Sequence, residues 1–418
     1  MRLRYFLGIF LAVFCLFLLT GCSTKEDKAV IKFSSWGSES EVRILRPLIA
    51  EFEEKNPDIK IEFVHIPKNY FQKLHLLFAS NLAPDVIFVN NINGIIYADA
   101  GLFEDLSSYL ESSEKTDRED FFENSLRAFT YNGKLYAIPR DVSNLVVFYN
   151  KDIFSRCGVE PPYERWTFEE FLEKSKALVN SKSCSLKWAV GFDKKPVFWL
   201  PFLWSNGGGI LSEDLEKIII DEDASIEGLQ FYSDLRNKYH LAPSDAQKGS
   251  LSNSQLFKHG DIAMQISGRW SVPFFRKNLD FDWDIIPFPS SKRGSVVDVD
   301  ASGWAVSSES KHKEQAWRFV EFMASEESVK KMTSSGLIIP ARVSVANSEL
   351  FLDTEKKPVS SKYFVTAIDT GIPTPANRNY QEISDILDKR LETLFSGKKQ
   401  AKEVIDEELK KELSELLE

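Results

Sequence analysis

Cysteine and histidine are scarce in this chain. Its 418 residues include four cysteines and five histidines, with neither a Cys-x-x-Cys pair nor a metal-ligand spacing of histidines. Zinc sites are built from closely spaced ligands, so the sequence predicts no metal site, and nothing in it points to a cofactor. A glycine-rich phosphate loop and a Gly-x-Ser-x-Gly motif are also missing. Their absence argues against the commonest nucleotide-binding and serine-hydrolase sites.

Apolar runs long enough to span a membrane are missing as well. The N-terminal run at residues 5–19 has about 15 residues, whereas a spanning helix needs roughly 20. Arg2 and Arg4 precede this run and Gly21-Cys22 follows shortly after it, so residues 1–22 are predicted to be a secretory signal. Residues 19–22 resemble a bacterial lipobox. That resemblance implies that Cys22 becomes lipidated and anchors the protein to a membrane.

Positive charge is in the minority. Lysine and arginine number 52 against 62 acidic residues, which gives a formal net charge of −10. An acidic surface argues against nucleic acid or anionic lipid as a partner. Two cysteines, Cys157 and Cys184, lie beyond Cys22. An oxidising compartment would allow them to form a disulfide, but the sequence does not give their separation.

The chain is longer than one hydrophobic core usually serves, so we expect two packed lobes. β-prone stretches at residues 29–35, 59–64 and 86–89 are separated by helical patterns, and this alternation continues through most of the chain. It predicts an α/β fold with mostly parallel sheets. Ligands of such sheets bind outside the carboxyl ends of strands, which directs attention to Trp36, Asn90, Asp141 and Ser307.

Several short stretches together carry a family resemblance. They are residues 33–38, 83–86, 133–139, 149–154, 158–162 and 260–264. In this order and spacing the chain resembles the sugar-binding subunits of ABC transporters, the extracellular solute-binding proteins that include maltose-binding protein. The resemblance implies a two-lobe periplasmic-binding-protein fold, with a ligand cleft between the lobes and a three-segment hinge near 139–142, 297–302 and 337–342.

The resemblance also predicts the lobe boundaries, the location of the protein and its function. The N-terminal lobe should comprise residues 23–139 and 301–338, and the C-terminal lobe residues 140–300 and 339–418. The protein should be an extracytoplasmic, membrane-anchored monomer without enzymatic activity. It should capture a mono- or oligosaccharide and deliver it to the permease subunits of an ABC transporter.

Sugars offer hydroxyl groups and flat apolar faces, so their sites combine polar side chains with aromatic platforms. The resemblance suggests acids at Asp85 and Asp141 and an aromatic platform at Trp270. Other readings stay open: Ser38 and Asp85 could cap helices, the tryptophans could be core residues, and only one of Trp199 and Trp204 need contact ligand. The predicted ligand-binding residues are Trp36, Ser38, Glu39, Asp85, Asn90, Asp141, Trp199, Trp204, Trp270, Gly303, Trp304 and Arg342.

Rival functions also remain open at this point. Arg140, Arg342 and Arg378 would suit a phosphorylated polyol, because phosphate binding calls for clustered cations. A polyamine would call for several carboxylates around aromatic rings, and a metal chelate is a further candidate. A lipid-anchored glycoside hydrolase would also contain paired carboxylates and tryptophans.

Overall fold

The protein is described by a computed structural model that covers residues 28–212 and 214–417. The predicted signal segment and Cys22 lie outside the described residues. Within the described part of the chain, no helix has both the length and the apolar character needed to cross a membrane.

The described residues form twelve strands and a larger number of helices. In chain order, strands β1 to β12 are Ala29–Ser35, Ile59–His65, Val86–Asn90, Thr130–Tyr131, Lys134–Leu135, Ile138–Ser143, Val146–Asn150, Trp188–Gly191, Ile262–Ser267, Trp283–Pro287, Asp300–Val306 and Ile339–Pro340. The α-helices are Glu39–Lys55, Tyr70–Ala79, Asn91–Asp99, Ser107–Glu111, Glu123–Arg127, Lys151–Cys157, Phe168–Asn180, Pro196–Asn206, Asp223–Asn237, Asp245–Lys248, Asn253–His259, Val272–Asn278, Lys313–Ala324, Glu326–Thr333, Val343–Ala346, Glu349–Leu352, Lys362–Thr370, Tyr380–Phe395, Ala401–Val404 and Glu407–Glu415. Short 3-10 helices occur at Arg118–Asp120 and Arg269–Ser271.

Two sheets form the centres of the two lobes. The larger has the order β12-β6-β11-β3-β1-β2, and the smaller has the order β10-β7-β9-β8. Only the β1–β2, β1–β3 and β8–β9 pairs among their described ladders are parallel; the others are antiparallel. The α/β class is confirmed, but the prediction of mostly parallel sheets is wrong. In the larger sheet β11, which returns from the smaller sheet, runs against β3 and β6, and β12 runs against β6. In the smaller sheet β7 runs against both β9 and β10.

Local sequence signals account for many of the elements. The capping boxes of Ser38 with Glu41 and of Thr167 with Glu170 are both present. Asn132 and Gly133, at φ 48° and 74°, form the turn between β4 and β5. Two-residue hairpin turns with positive φ at both positions match the twist of the strands they join.

The two sheets are linked by connections that run side by side. Strand β6 ends at Ser143 and β7 begins at Val146 in the other sheet, whereas β10 returns to β11 through residues 288–299. The strands pair on both sides of this passage, β6 with β11 and β7 with β10. The lobe boundaries stay a prediction. Strand pairing places 140–143 and 339–340 in the larger sheet, together with the N-terminal strands.

Each lobe is stabilised by a hydrophobic interior, and the smaller lobe also contains a disulfide. Residues 86–89 of β3 are fully buried, as expected of a strand covered on both faces. In the smaller lobe, Cys157 and Cys184 form a disulfide with their Cα atoms 5.1 Å apart. It joins the end of the helix Lys151–Cys157 to the segment that precedes β8.

Candidate functional site

The strand directions define which edges of the two sheets face each other. In the larger sheet, β1, β3 and β6 end, and β11 begins, at one common edge, since Asn90 pairs with Ser302 and Ser143 pairs with Asp300. In the smaller sheet, Val146 at the start of β7 pairs with Ser267 and Pro287, where β9 and β10 end. Only two residues separate the two edges along the first connection. The cleft between the lobes therefore lies between these edges, which we call the first edge and the second edge.

Trp36 follows β1 and lies on the first edge. It is partly buried, and its ring centroid is 4.2 Å from that of Phe88, 5.1 Å from Tyr70 and 5.5 Å from Phe71. Tyr70 is itself hydrogen bonded to Ser34, with 2.9 Å between the hydroxyl oxygens. One side of the indole is thus fixed by packing while part of it stays accessible.

Ser38 and Glu39 lie at the start of the following helix. The Ser38 hydroxyl accepts from the Glu41 backbone N–H, and the Ser38 N–H donates to the Glu41 carboxylate at 2.7 Å. Ser38 therefore serves as a helix cap, which was the alternative to a role in ligand binding. Glu39 is exposed in the first turn of the helix.

Asp141, on β6, is held by its neighbour in the sequence. Its carboxylate accepts two hydrogen bonds from the Arg140 guanidinium, both of 3.0 Å. That guanidinium lies 4.2 Å from the ring centroid of Phe88, the ring that also packs against Trp36. Burial raises the pKa of the Asp141 carboxyl, and the Arg140 charge opposes this rise. Trp36, Phe88, Arg140 and Asp141 thus form one connected cluster on the first edge.

Asn90 and Asn91 complete the polar part of the first edge. The Asn90 side chain accepts from the Asn93 backbone N–H at 2.9 Å and caps the helix Asn91–Asp99. The Asn91 amide donates to the Asp300 carboxylate at 3.0 Å, which ties the end of β3 to the start of β11. Both asparagines therefore have structural partners at the edge where Asn90 was predicted to bind ligand.

Trp270 lies on the second edge, directly after β9. It is 41% exposed, the only tryptophan among the exposed large hydrophobic residues of the described chain. Its neighbour Arg269 points the other way, is buried, and donates to the Gly336 carbonyl oxygen at 3.1 Å. Burial and, to a smaller extent, Arg276 lower the pKa of Arg269 to about 9. Trp270 is thus an exposed aromatic side chain on an anchored turn.

The second edge also contains charged residues that were not predicted from the sequence. Strand β8 runs parallel to β9, with Gly191 opposite Gln265, so residues 192–195 lie at the same edge as Trp270. There Asp193 accepts from the Asn253 amide at 2.9 Å, and Lys194 pairs with Asp245 at 2.9 Å. The signal that could have revealed them is a short β-prone stretch followed by charged residues and Pro196.

Two predicted positions lie at the wrong end of their strands. Asp85 precedes β3, so it lies at the edge opposite the cleft, where it accepts from the Lys32 backbone N–H at 2.9 Å and from the Ser310 hydroxyl at 2.6 Å. Ser307 follows β11, and its backbone N–H donates to the Asp85 carbonyl oxygen at 2.9 Å. Because β11 runs antiparallel to β3, its carboxyl end lies on that far edge as well.

Other predicted residues belong to the interior of the protein. Trp199 and Trp304 are 0% exposed and Trp204 is 3% exposed, so none of the three offers a ring face to solvent. A Cβ atom on Gly303 would lie 2.4 Å from the Ile138 carbonyl oxygen, so this glycine permits close packing of β11 against β6. Arg342 is buried, pairs with Asp120 at 2.8 Å and donates to the Ala324 carbonyl oxygen.

Among residues 28–212 and 214–417, no group of three or more histidine, cysteine, aspartate or glutamate side chains is placed to hold a metal ion.

Comparison with known proteins places the chain in a family. Residues 36–330 match the model of the bacterial extracellular solute-binding proteins. The chain therefore belongs to this family. It is 25% identical to a galactooligosaccharide-binding protein of Bacillus subtilis over 412 residues, covering 93% of this chain and 92% of the relative.

Solved structures share the same two-lobe fold. An ABC substrate-binding protein of Listeria monocytogenes in complex with cycloalternan has a TM-score of 0.82 and 27% identity, covering 94% of this chain and 98% of that one. A protein of Mycobacterium tuberculosis in complex with glycerophosphocholine has a TM-score of 0.78 and 18% identity, covering 93% and 98%. The predicted two-lobe periplasmic-binding-protein fold is thus confirmed.

Proposed function

We propose that this protein is the extracytoplasmic, lipid-anchored substrate-binding subunit of an ABC transporter and that it captures a mono- or oligosaccharide between its lobes. The observation that carries the proposal is the pairing of opposite edges. One presents Trp36 and Asp141, which are linked through Phe88 and Arg140, and the other presents the exposed Trp270. Aromatic faces and fixed acceptors are the two features a sugar ring requires. The names of the oligosaccharide-binding relative and the cycloalternan complex support this ligand class.

Ligand binding would couple to transport through lobe closure. A sugar that contacts Trp36 and Asp141 on one side and Trp270 on the other would stabilise the closed form, because only that form allows all the contacts at once. The closed protein would then be recognised by the permease subunits. A lipid on Cys22, as the lipobox resemblance implies, would keep the protein close to the membrane.

A phosphorylated ligand has less support at these edges. Arg140 is paired with Asp141, and Arg342 is paired with Asp120 away from the cleft, so two of the three arginines considered for phosphate are already engaged. The glycerophosphocholine complex is of another protein with this fold, so the fold itself does not exclude a phosphorylated ligand. The ligand class therefore depends on the side chains at the two edges. An enzymatic role is disfavoured because the relatives named above are binding proteins.

A thermal-shift screen of the purified protein tests the proposal. The ligands are mono- and oligosaccharides, glycerol phosphates and polyamines, and any hit is followed by calorimetry and product analysis. A sugar present at about 100 times its dissociation constant should add roughly 2.7 kcal/mol to the unfolding free energy. A shift with an unaltered sugar supports the proposal. A response only to phosphates or polyamines, or cleavage of the sugar, contradicts it.

A further inference from the structure

The turn that presents Trp270 contains a glycine whose missing side chain affects the indole. A Cβ atom added to Gly268 would lie 2.0 Å from Cζ3 of Trp270, 2.4 Å from Cη2 and 2.5 Å from Cε3. Apart from atoms of their own residue and its chain neighbours, real Cβ atoms essentially never come within 3.0 Å of a heavy atom. All three ring atoms belong to the six-membered ring of the indole. The indole therefore folds back over Gly268 and occupies the space that any side chain would need.

Backbone conformation does not explain this glycine. Gly268 has φ −107° and ψ −175°, an extended conformation that any residue can adopt. The positions where this chain needs glycine for a positive φ are different ones, such as Gly133 and Gly158. The requirement at Gly268 is therefore for space beside Trp270.

Hydrogen bonds also fix the turn, so its backbone cannot easily move to make room for a side chain at position 268. The Ser271 backbone N–H donates to the Gly268 carbonyl oxygen at 3.1 Å, and the hydroxyls of Ser267 and Ser271 are 2.8 Å apart. Arg269 is buried and donates to the Gly336 carbonyl oxygen. A side chain at position 268 would therefore displace the indole rather than the turn.

We propose that Gly268 is a positioning residue for ligand binding, because its missing side chain leaves the space in which the Trp270 indole takes its orientation on the second edge. This inference rests on the proposed function, since it assumes that Trp270 contacts the sugar. An aromatic platform that is already in its bound orientation loses little side-chain entropy when ligand arrives. A platform that must choose among rotamers binds more weakly.

The test compares Gly268→Ala, Trp270→Ala and the double variant by calorimetry with the sugar found in the screen. Gly268→Ala should weaken binding by at least about threefold, and by no more than the roughly tenfold loss, about 1.4 kcal/mol, expected of Trp270→Ala. In the Trp270→Ala background, the same substitution should cause no further loss. Gly209→Ala is the matched control: it is a second-lobe glycine without positive φ, and its added Cβ would have its nearest contact at 3.3 Å.

A spectroscopic readout follows Trp270 without ligand. Acrylamide quenching of tryptophan emission should increase in Gly268→Ala, because the displaced indole is more exposed, and should not change when Gly268→Ala is added to Trp270→Ala. Melting temperatures verify that each variant is folded.

The outcomes separate this inference from the proposed function. Wild-type affinity in Gly268→Ala, or an equal loss in the presence and absence of Trp270, overturns the positioning role. If the wild-type protein binds no sugar at all, the proposed function fails, and the quenching comparison still decides whether Gly268 orients Trp270.

Discussion

The two edges of the cleft are built in opposite ways. On the first edge, the polar side chains already have partners: Asp141 is bound by Arg140, and Asn90 and Ser38 cap helices. On the second edge, Asp193 and Lys194 have partners as well, but Trp270 is 41% exposed. The aromatic ring of the first edge, Trp36, is thus packed against other aromatic rings, whereas Trp270 on the second edge is exposed for ligand to cover. This difference suggests that the first edge orients the sugar and the second contributes most of the apolar contact.

Removing the disulfide should lower the stability of the smaller lobe without changing ligand binding at either edge. The Cys157→Ala and Cys184→Ala double variant releases a loop with a sequence separation of 27. Loop entropy predicts a loss of roughly 3 to 4 kcal/mol in unfolding free energy, measured by urea titration. Sugar affinity of the folded protein should stay the same. A large loss of affinity in a variant of unchanged stability would show that the disulfide shapes the second edge directly.

Removing the carboxylate of the first edge should weaken binding through lost hydrogen bonds. Charge-assisted bonds contribute roughly 1.5 to 3 kcal/mol, so Asp141→Ala should weaken sugar binding at least tenfold in calorimetry. It should also lower stability, because Arg140 is buried and would lose its partner. Asp85→Ala is the matched control on the far edge. Equal affinity losses in both variants would mean that the first edge is not the binding surface.

Removing the aromatic ring of the second edge should weaken binding without disturbing the fold. Trp270→Ala should cost about 1.4 kcal/mol of binding free energy, a tenfold loss, while the melting temperature stays close to that of the wild type. Trp304→Phe provides the opposite case, because Trp304 is fully buried. It should lower the melting temperature and leave affinity unchanged. The reverse pattern would exchange the roles assigned to the exposed and buried tryptophans.

A pH experiment examines the connection between the edges. Asp298 is fully buried in the second connection, and burial together with nearby Asp300 raises its pKa well above the usual range. A raised folded-state pKa stabilises the fold at low pH, and that stability is lost as pH rises through the folded-state value. Asp298→Asn should therefore be more stable than the wild type at pH 7, with a difference that shrinks toward pH 4 in thermal melts. A difference that grows on acidification would contradict the raised pKa of Asp298.

Local sequence patterns predicted much of the fold because they depend on neighbouring residues. Both capping boxes and the Asn132-Gly133 turn form as expected, since each is decided within a few positions. The predicted buried strand at 86–89 is likewise present. These features needed no knowledge of the distant parts of the chain.

The site was predicted less well because it depends on strand direction and packing. Asp85 precedes β3 and Asn90 is its last residue, yet only Asn90 lies at the cleft. The tryptophans look alike in sequence, and distant elements decide that Trp304 is covered by Phe33 and Phe88 while Trp270 is not. Asp193 was overlooked because the parallel pairing of β8 with β9, which brings it to the second edge, cannot be read from residue types.

The connections between the lobes have a mechanical consequence. Since β6 pairs with β11 and β7 with β10, and residues 297 and 299 also bond to Ile372, the passage between the lobes is a strap of hydrogen-bonded segments. Such a strap bends out of its plane with little resistance, but sliding within the plane would break the hydrogen bonds between its strands. The relative motion of the lobes should therefore reduce to one rotation. A single spin-label pair, with one label on each lobe, would then follow the whole movement as one changing distance.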